Sequence, residues 1–187
     1  APAGAPELAR VASAPMAALV RATNVPSDNY LAEMLLKGLG ARFSGRGSTL
    51  AGAAVAAATM RGLGAAPRIA DGSGLSRANR TSPRDVVRLL EAMPAQKTGG
   101  AFLRSLPVAG RTGTLRRRMR GTPAAGACRA KTGTLLGVSA LAGYCRTRAG
   151  GDVAFAFLMS SVSVFGARAV QDRMARTLAA YDGGDLP

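Results

Sequence analysis

In "NYLAEMLLKGLG", Leu31, Met34, Leu35 and Leu39 recur at the three- and four-residue spacing of one helix face. The pattern predicts a helix with Ser27-Asp28-Asn29 at or just before its N-terminus and an end at Gly38 and Gly40. Upstream, Leu8 to Ala12 predicts a short strand, and "SAPMAALVRATN" a helix with Pro15 near its start. Downstream, "STLAGAAVAAATMRGLG" (48–64) predicts a buried helix of small residues with Ser48 as its cap. "SPRDVVRLLEAM" (82–93) has the fullest start signal: Ser82 as cap, Pro83 in the first turn and Asp85 three after the cap. A glycine-punctuated loop (68–82) precedes it, and a basic loop, "GRTGTLRRRMRGTPAAG" (110–126), follows.

The last third changes period. Residues 127–136 and 138–147 predict two strands joined by "LG", and "DVAFAFLMSS" (152–161) a third. Three sequential strands with short links predict an antiparallel meander. "FGARAVQDRMARTLAAY" (165–181) returns to helical spacing, with Phe165, Val170, Met174 and Leu178 as expected buried positions. Helices, then strands, then a helix make an α+β pattern: an antiparallel sheet flanked by helices. The 187 residues suit one domain, with residues 1–7 and 182–187 expected as loose ends.

With Leu136 and Gly137 as a two-residue turn, Cys128 lies directly opposite Cys145. Opposed Cβ atoms stand about 4.5–5.5 Å apart, and a disulfide needs about 3.5–4.5 Å. A cross-strand bond is therefore within reach, with some strain; two small buried thiols are the alternative. A bond would favour an oxidising, extracytoplasmic location.

Composition narrows the chemistry. Hydrophobic residues make up 48% and charged residues 19%, as in globular domains. No apolar run reaches the about 18 residues that suggest a membrane span. The start, "APAGAPELAR", lacks the layout of a signal peptide and reads as a mature or truncated end. The net charge of +15 suits nucleic acid, an anionic cell envelope or an acidic segment of the same protein. Aromatics at 4%, with no Trp, disfavour the stacking surfaces of nucleic-acid binders. The chain has no His, so it holds no Ser-His-Asp triad and no His-ligated zinc. Acid–base work falls to Lys, Asp, Glu, Tyr and hydroxyl groups.

The basic residues are nearly all Arg; only Lys37, Lys97 and Lys131 are lysines. A compact ammonium on a flexible stem suits a tight, tunable site better than a guanidinium. Lys131-Thr132-Gly133 begins an extended stretch, where a glycine lets a ligand approach the strand closely. Lys97-Thr98-Gly99 follows Met93-Pro94 and runs into Gly100, which predicts a loop. Structural readings compete: Ser27-Asp28-Asn29 as a helix cap alone, Lys131 as a charge guarding an edge strand, and Asp71 bonding its own turn. Arg116, Arg117, Arg118 and Arg120 read most simply as a solvated loop, with anionic wall polymer as the alternative contact.

Four stretches, "SDNYLAEMLLKGLG", "DGSGLSRANRTSPRDVVRLL", "TGTLRRRMRGTPAAG" and "RAKTGTLLGVSALAGY", together resemble the class C low-molecular-mass penicillin-binding proteins. The resemblance covers most of residues 8–181. These are D-alanyl-D-alanine carboxypeptidases, some also endopeptidases, that trim peptidoglycan in the periplasm or cell wall. It implies the penicillin-binding, serine β-lactamase-like transpeptidase fold and acyl transfer through a serine ester, with no metal or organic cofactor. On it, Ser27 relays a proton, Asn29 orients the substrate amide, and Lys131 supplies a cation that also favours the substrate's terminal carboxylate. Thr132 or Thr134 offers a hydroxyl, Gly133 allows close approach, and the Thr134 N–H serves an oxyanion hole. Leu75 and Arg77 would line a donor-strand pocket.

One departure is large. The family's first motif is Ser-x-x-Lys, and the residues three before the lysines here are Met34, Pro94 and Cys128. The resemblance therefore implies the C-terminal part of one penicillin-binding domain, its nucleophile carried by an N-terminal part of the same precursor. The partners would be that part, a peptidoglycan stem peptide and β-lactams, not nucleic acid. A smaller departure is Thr112, where relatives often carry Asp. The rival readings are a serine β-lactamase or esterase with the same constellation, and a non-catalytic basic module binding wall or nucleic acid.

Overall fold

The computed structural model describes residues 4–184. Its described elements are six α-helices and one three-stranded antiparallel sheet in the order β1-β2-β3, the α+β arrangement expected. Residues 4–7 and 182–184 form no helix or strand; 1–3 and 185–187 lie outside the described residues. No described helix is long and apolar enough to cross a membrane.

The strand expected at Leu8 to Ala12 is absent. Leu8 is 93% exposed and Val11 is exposed with it, and a lone strand has no partner for its backbone groups. Helix α1 (Met16–Asn24) follows Pro15 as expected. Helix α2 (Asn29–Ser44) starts where Asp28 accepts the Leu31 N–H at 2.8 Å. It runs through Gly38 and Gly40 and ends at Gly45.

Those internal glycines were misread as stops. A Cβ on Gly40 would stand 2.5 Å from the Arg46 carbonyl and 2.8 Å from the Gly52 nitrogen. Gly40 is therefore the contact that lets α2 meet α3 (Thr49–Gly62) backbone to backbone. Ser48 caps α3 by accepting from the Ala51 N–H. The expected burial of α3 holds only for Gly52 and Ala53. Its small residues serve close approach on one side and leave the rest half-buried or exposed.

Ser82 and Asp85 form the reciprocal capping box that starts α4 (Pro83–Ala92). A 3-10 turn, Met93–Ala95, leads past Lys97 in a turn to α5 (Gly99–Ser105). Helix α5 was not expected: seven residues opening on two glycines carry little helix propensity.

Strands β1 (Cys128–Leu135) and β2 (Val138–Arg146) meet across Leu136-Gly137, and β3 (Asp152–Ser160) follows. The register pairs Cys128 with Cys145 and Thr134 with Ser139. The two cysteines form a disulfide. Alternation puts Ser139, Leu141, Gly143 and Cys145 on the buried face of β2. Helix α6 (Val164–Ala180) packs there through Ala167, Gln171, Ala175 and Ala179. This corrects most of the expected face: the fully buried stripe lies one residue on from Val170, Met174 and Leu178, Phe165 is 83% exposed, and of the expected four only Leu178 packs against the core, partly buried at its margin. Alanine at these positions lets the helix lie close over the disulfide. Helix α4 covers the other face, where the Tyr144 hydroxyl donates to the Leu90 carbonyl at 2.5 Å.

Candidate active site

The site forms along the edge of β1 that β2 does not cover. At its start, that edge is covered by the segment before the basic loop. Ala109 N–H donates to the Cys128 carbonyl at 3.0 Å, and Ala130 N–H donates to the Pro107 carbonyl at 2.9 Å. These bonds fix the direction of the strand's polar groups. N–H and C=O of alternate residues point the same way, so Thr132 and Thr134 project theirs to the same side, past the covering segment. Backbone hydrogen-bonding groups thus line the site beyond Lys131.

Lys131 turns to the face opposite Cys128 and Ala130. Its ammonium donates to Ser27 Oγ at 2.5 Å and to the Thr132 carbonyl at 2.9 Å. Burial lowers the Lys131 pKa, because a low-dielectric setting disfavours the charged form. Ser27 is half-buried and holds a left-handed backbone, φ +64°, which costs of order 1–2 kcal/mol for a residue with a side chain. Asp28 N–H donates to the Thr23 carbonyl at 2.8 Å and pins this turn. Asp28 caps α2, its expected structural role. Asn29 is the first residue of α2 and is exposed.

A third element locks the two motifs together, and it was missing from the expected site residues. A 3-10 turn, Gly113–Leu115, lies between the Ser27 loop and β1. Thr114 N–H donates to the Val25 carbonyl at 3.2 Å, while Thr132 Oγ1 donates to Thr114 Oγ1 at 3.0 Å. Gly113 has φ +52°, and a Cβ there would overlap the Val25 carbonyl, so only glycine admits this approach. Thr112 accepts the Val108 N–H at 2.9 Å; its hydroxyl is the acceptor this turn uses. The signal for Thr114 lay in "RTGTL", which stood out as a stretch without a residue role.

Thr134 is exposed, and its Oγ1 accepts from the Arg168 guanidinium at 3.2 Å. Gly133 packs against Ala140 of β2. Arg77 donates to the Leu136 carbonyl at 2.7 Å, so the 71–77 loop reaches the tip of the β1–β2 hairpin, with Leu75 exposed on it. Asp71 organises that loop as its structural reading expected. It accepts from Ser76 N–H, Gly74 N–H, Ser73 hydroxyl and Asn79 amide. Burial pushes the Asp71 carboxyl up, but these four donors outweigh it and hold the pKa low. Glu33 of α2 ties the loop down, accepting from Gly72 N–H at 2.8 Å and the Thr49 hydroxyl at 2.5 Å.

Arg118 departs from the solvated loop expected for Arg116 to Arg120. Its guanidinium is 14% exposed and pairs with Asp172 at 2.7 Å. The pairing joins residues on separate elements, so no local charge pattern reveals it.

The family model for D-Ala-D-Ala carboxypeptidase 3 (S13) matches residues 1–181. The chain belongs to that family. It is 41% identical over 169 residues to the D-alanyl-D-alanine carboxypeptidase of Actinomadura sp. (strain R39), covering 86% of this chain and 31% of that protein. It superposes on penicillin binding protein 4 (dacB) of Haemophilus influenzae with TM-score 0.79 and 26% identity, covering 88% of this chain and 40% of that one. A structure of the same H. influenzae protein, complexed with a β-lactam, gives TM-score 0.74 and 27% identity, covering 86% and 40%. The chain thus spans only about a third to two fifths of these relatives. The resemblance drawn from the four motif stretches is borne out at the level of family and fold.

Proposed function

We propose that this chain is the C-terminal part of a single penicillin-binding domain in a serine D-alanyl-D-alanine carboxypeptidase. The observation that carries the reading is the Lys131–Ser27 pair beside a strand edge whose Thr134 N–H points outward. The substrate is an acyl-D-Ala-D-Ala stem peptide of peptidoglycan, laid along that edge. The nucleophile is a serine from a Ser-x-x-Lys segment, supplied by an N-terminal part of the same precursor.

The chemistry follows from the groups present. A serine hydroxyl needs a base. With no His in the chain, the base is the lysine of the Ser-x-x-Lys segment, its pKa lowered by desolvation and by the nearby Lys131 ammonium. The Thr134 N–H and that of the nucleophile stabilise the tetrahedral oxyanion; losing one such donor costs about 10²–10³ in rate. Lys131 donates to Ser27 Oγ, so the Ser27 hydroxyl proton is free to pass to the departing D-alanine amine. Asn29, exposed beside it, orients the substrate amide. Thr132 and Gly133 shape the strand edge, and Leu75 and Arg77 close the donor-strand side. Water then cleaves the serine ester. A second stem peptide's cross-link would be cut by the same steps, as endopeptidase activity.

Two surfaces support an additional part. The outer edge of β3 pairs with no described strand, and Phe157, Leu158 and Met159 along it are only half-buried; unpaired strand edges are covered or blunted in stable proteins. An apolar cleft of about 1190 Å³ runs between α1, α2, α3 and α4, lined by Met16, Val20, Leu36, Leu39, Met60 and Leu89. Neither Ser27 nor Lys131 lines it. Soluble proteins rarely leave such a surface bare, so we assign both surfaces to packing against the N-terminal part. The disulfide suits an extracytoplasmic location, where peptidoglycan lies.

The test is acylation by labelled penicillin, with D-alanine release from an acyl-D-Ala-D-Ala peptide. The whole protein should form a long-lived stoichiometric adduct and release D-alanine; this chain alone should do neither. Acylation of the isolated chain would show that the nucleophile is misplaced. Rapid turnover of penicillin by the whole protein would favour the β-lactamase reading.

A further inference from the structure

From Ala92 to Gly151 the chain carries no Asp or Glu, and its longest basic run, Arg116-Arg117-Arg118, lies in that stretch with Arg120 close behind. The loop that holds the run is anchored. Leu115, Met119 and Ala124 are buried in the core beneath it. Thr122 Oγ1 donates to the Met119 carbonyl at 2.7 Å, and Gly126 N–H donates to the Ala109 carbonyl at 2.9 Å. Arg116, Arg117 and Arg120 are left exposed.

Helix α6 meets this loop. Arg118 pairs with Asp172 at 2.7 Å and ties the two together. Asp172 is the one acid of α6, so the pair leaves the helix no carboxylate for its remaining arginines. Arg173 and Arg176 share one helix face with Thr177 and Ala180, at three- and four-residue spacing. That face and Gly121-Thr122-Pro123 enclose a groove of about 420 Å³. Thr122 and Thr177 donate their hydroxyl protons to the carbonyls of Met119 and Arg173, so the arginines are the groove's charged donors. Among the described residues, no carboxylate pairs with Arg116, Arg117, Arg120, Arg173 or Arg176. Like charges on adjacent helix turns repel; only an anion from outside offsets that repulsion here.

The groove is separate from the two surfaces assigned to the N-terminal part. None of its residues lines the α1–α4 cleft or belongs to β3. Its lining also narrows the partner. Membrane-surface helices add large apolar side chains to their cations, and single-stranded nucleic-acid grooves add aromatic rings. This groove is lined by no aromatic residue and by no Leu, Ile, Val or Met. Arginine is always charged, and its planar fork matches the paired free oxygens of a phosphodiester.

We propose that this groove, with the exposed arginines of the adjoining loop, binds a linear phosphodiester polymer of the cell wall. It holds the enzyme on the layer that contains peptidoglycan. The inference uses the extracytoplasmic location proposed above and none of Ser27, Asn29, Lys131 or Thr134.

The test is fluorescence anisotropy of an end-labelled poly(glycerol phosphate) chain titrated with the whole protein at several salt concentrations. The wild type should bind, with an affinity that falls steeply as salt rises. Arg173→Gln together with Arg176→Gln should weaken binding by about 25-fold, about five-fold for each cation facing an array of anions, and should flatten the salt dependence. Arg117→Gln with Arg120→Gln, on the loop side, should weaken it on the same scale. Arg61→Gln with Arg84→Gln, an equal loss of charge at exposed positions outside the groove, should weaken it by less than about three-fold. All three double variants should keep the wild-type melting temperature and its rate of D-alanine release from a soluble peptide. Equal weakening by the groove pair and the outside pair would mean attraction by net charge alone, and overturns the site. So does an absence of binding, or tighter binding of single-stranded DNA, polygalacturonate or phosphatidylglycerol vesicles than of the phosphate polymer. Binding and D-alanine release are read separately, so either reading can fail while the other stands.

Discussion

Lys131 Nζ and Ser27 Oγ meet at 2.5 Å, although 104 positions separate them in the chain. One comes from the middle of a strand and the other from a strained turn before a helix. Neither position needs the other for its local structure: Asp28 caps α2 whatever occupies position 27, and β1 pairs with β2 through its backbone. A buried ammonium and a left-handed serine both oppose folding. Their convergence is not needed for stability, and it supports the proposed site chemistry.

Lys131→Ala in the whole enzyme should therefore slow acylation by penicillin by at least about 100-fold, the scale of removing one electrostatic stabiliser from an acyl-transfer site. Stopped-flow acylation measures it, and an unchanged rate removes Lys131 from the mechanism. The pH profile adds a second check. Burial lowers the Lys131 pKa, so the ammonium is lost at lower pH than for an exposed lysine. Acylation should fall on the alkaline side below the ordinary lysine range, near 10.4. Lys131→Arg, which stays charged, should abolish that particular fall.

Thr114 is the hinge between the two motifs, bonded by its backbone to Val25 and by its hydroxyl to Thr132. It acts by positioning. Thr114→Val keeps the shape and removes the hydroxyl, leaving Thr132 without its partner. A lost neutral hydrogen bond is worth about 0.5–1.5 kcal/mol, so acylation should slow by about 2–13-fold. Thr114→Ser should restore it. A serine variant as slow as the valine one would mean that shape, not the hydroxyl, is what matters.

Glu33 links stability to pH. The Thr49 hydroxyl and the Gly72 N–H lower its pKa, and these donors outweigh the opposing effect of burial. A carboxyl depressed in the folded state contributes stability above its unfolded pKa of about 4.3, and that contribution is lost as pH falls through the folded value. Glu33→Gln should thus lower the melting temperature at pH 7, by about 2–4 °C if one net hydrogen bond is lost. The gap between variant and wild type should close on acidification below pH 4. A gap that is constant with pH would assign the loss to packing instead.

The hairpin was the most legible part of the fold, because local signals fix it. Leu136-Gly137 sets the turn, the turn sets the register, and the register brings Cys128 to Cys145. The capping box at Ser82 is equally local. Gly40 was misread because a glycine that ends a helix and one that lets two helices touch look alike along the chain. The face of α6 was missed by one residue because the sheet above the disulfide selects alanine, whereas the periodicity favoured the larger Val170, Met174 and Leu178. Within the site, Ser27 and Lys131 were legible as motif residues. Thr114, Arg118 and Arg168 were not, since their meaning lies in partners on other elements.

The disulfide offers a prediction about stability first and acylation second. Cys128 and Cys145 lie at the far end of the hairpin from its turn, beneath Ala175, in the centre of the core. Titration of the denatured, unreduced protein should find neither thiol free. The bond closes a loop with a sequence separation of 17, and cross-links of that size restrict the unfolded chain by about 3 kcal/mol. Reduction, or replacement of both cysteines by alanine, should destabilise the hairpin by about that amount. Because β1 carries Lys131 and Thr134, the loss should appear as a lower temperature for losing penicillin acylation, with the rate at low temperature little changed. A variant that loses acylation at every temperature, with its melting point intact, would show that the bond shapes the site directly.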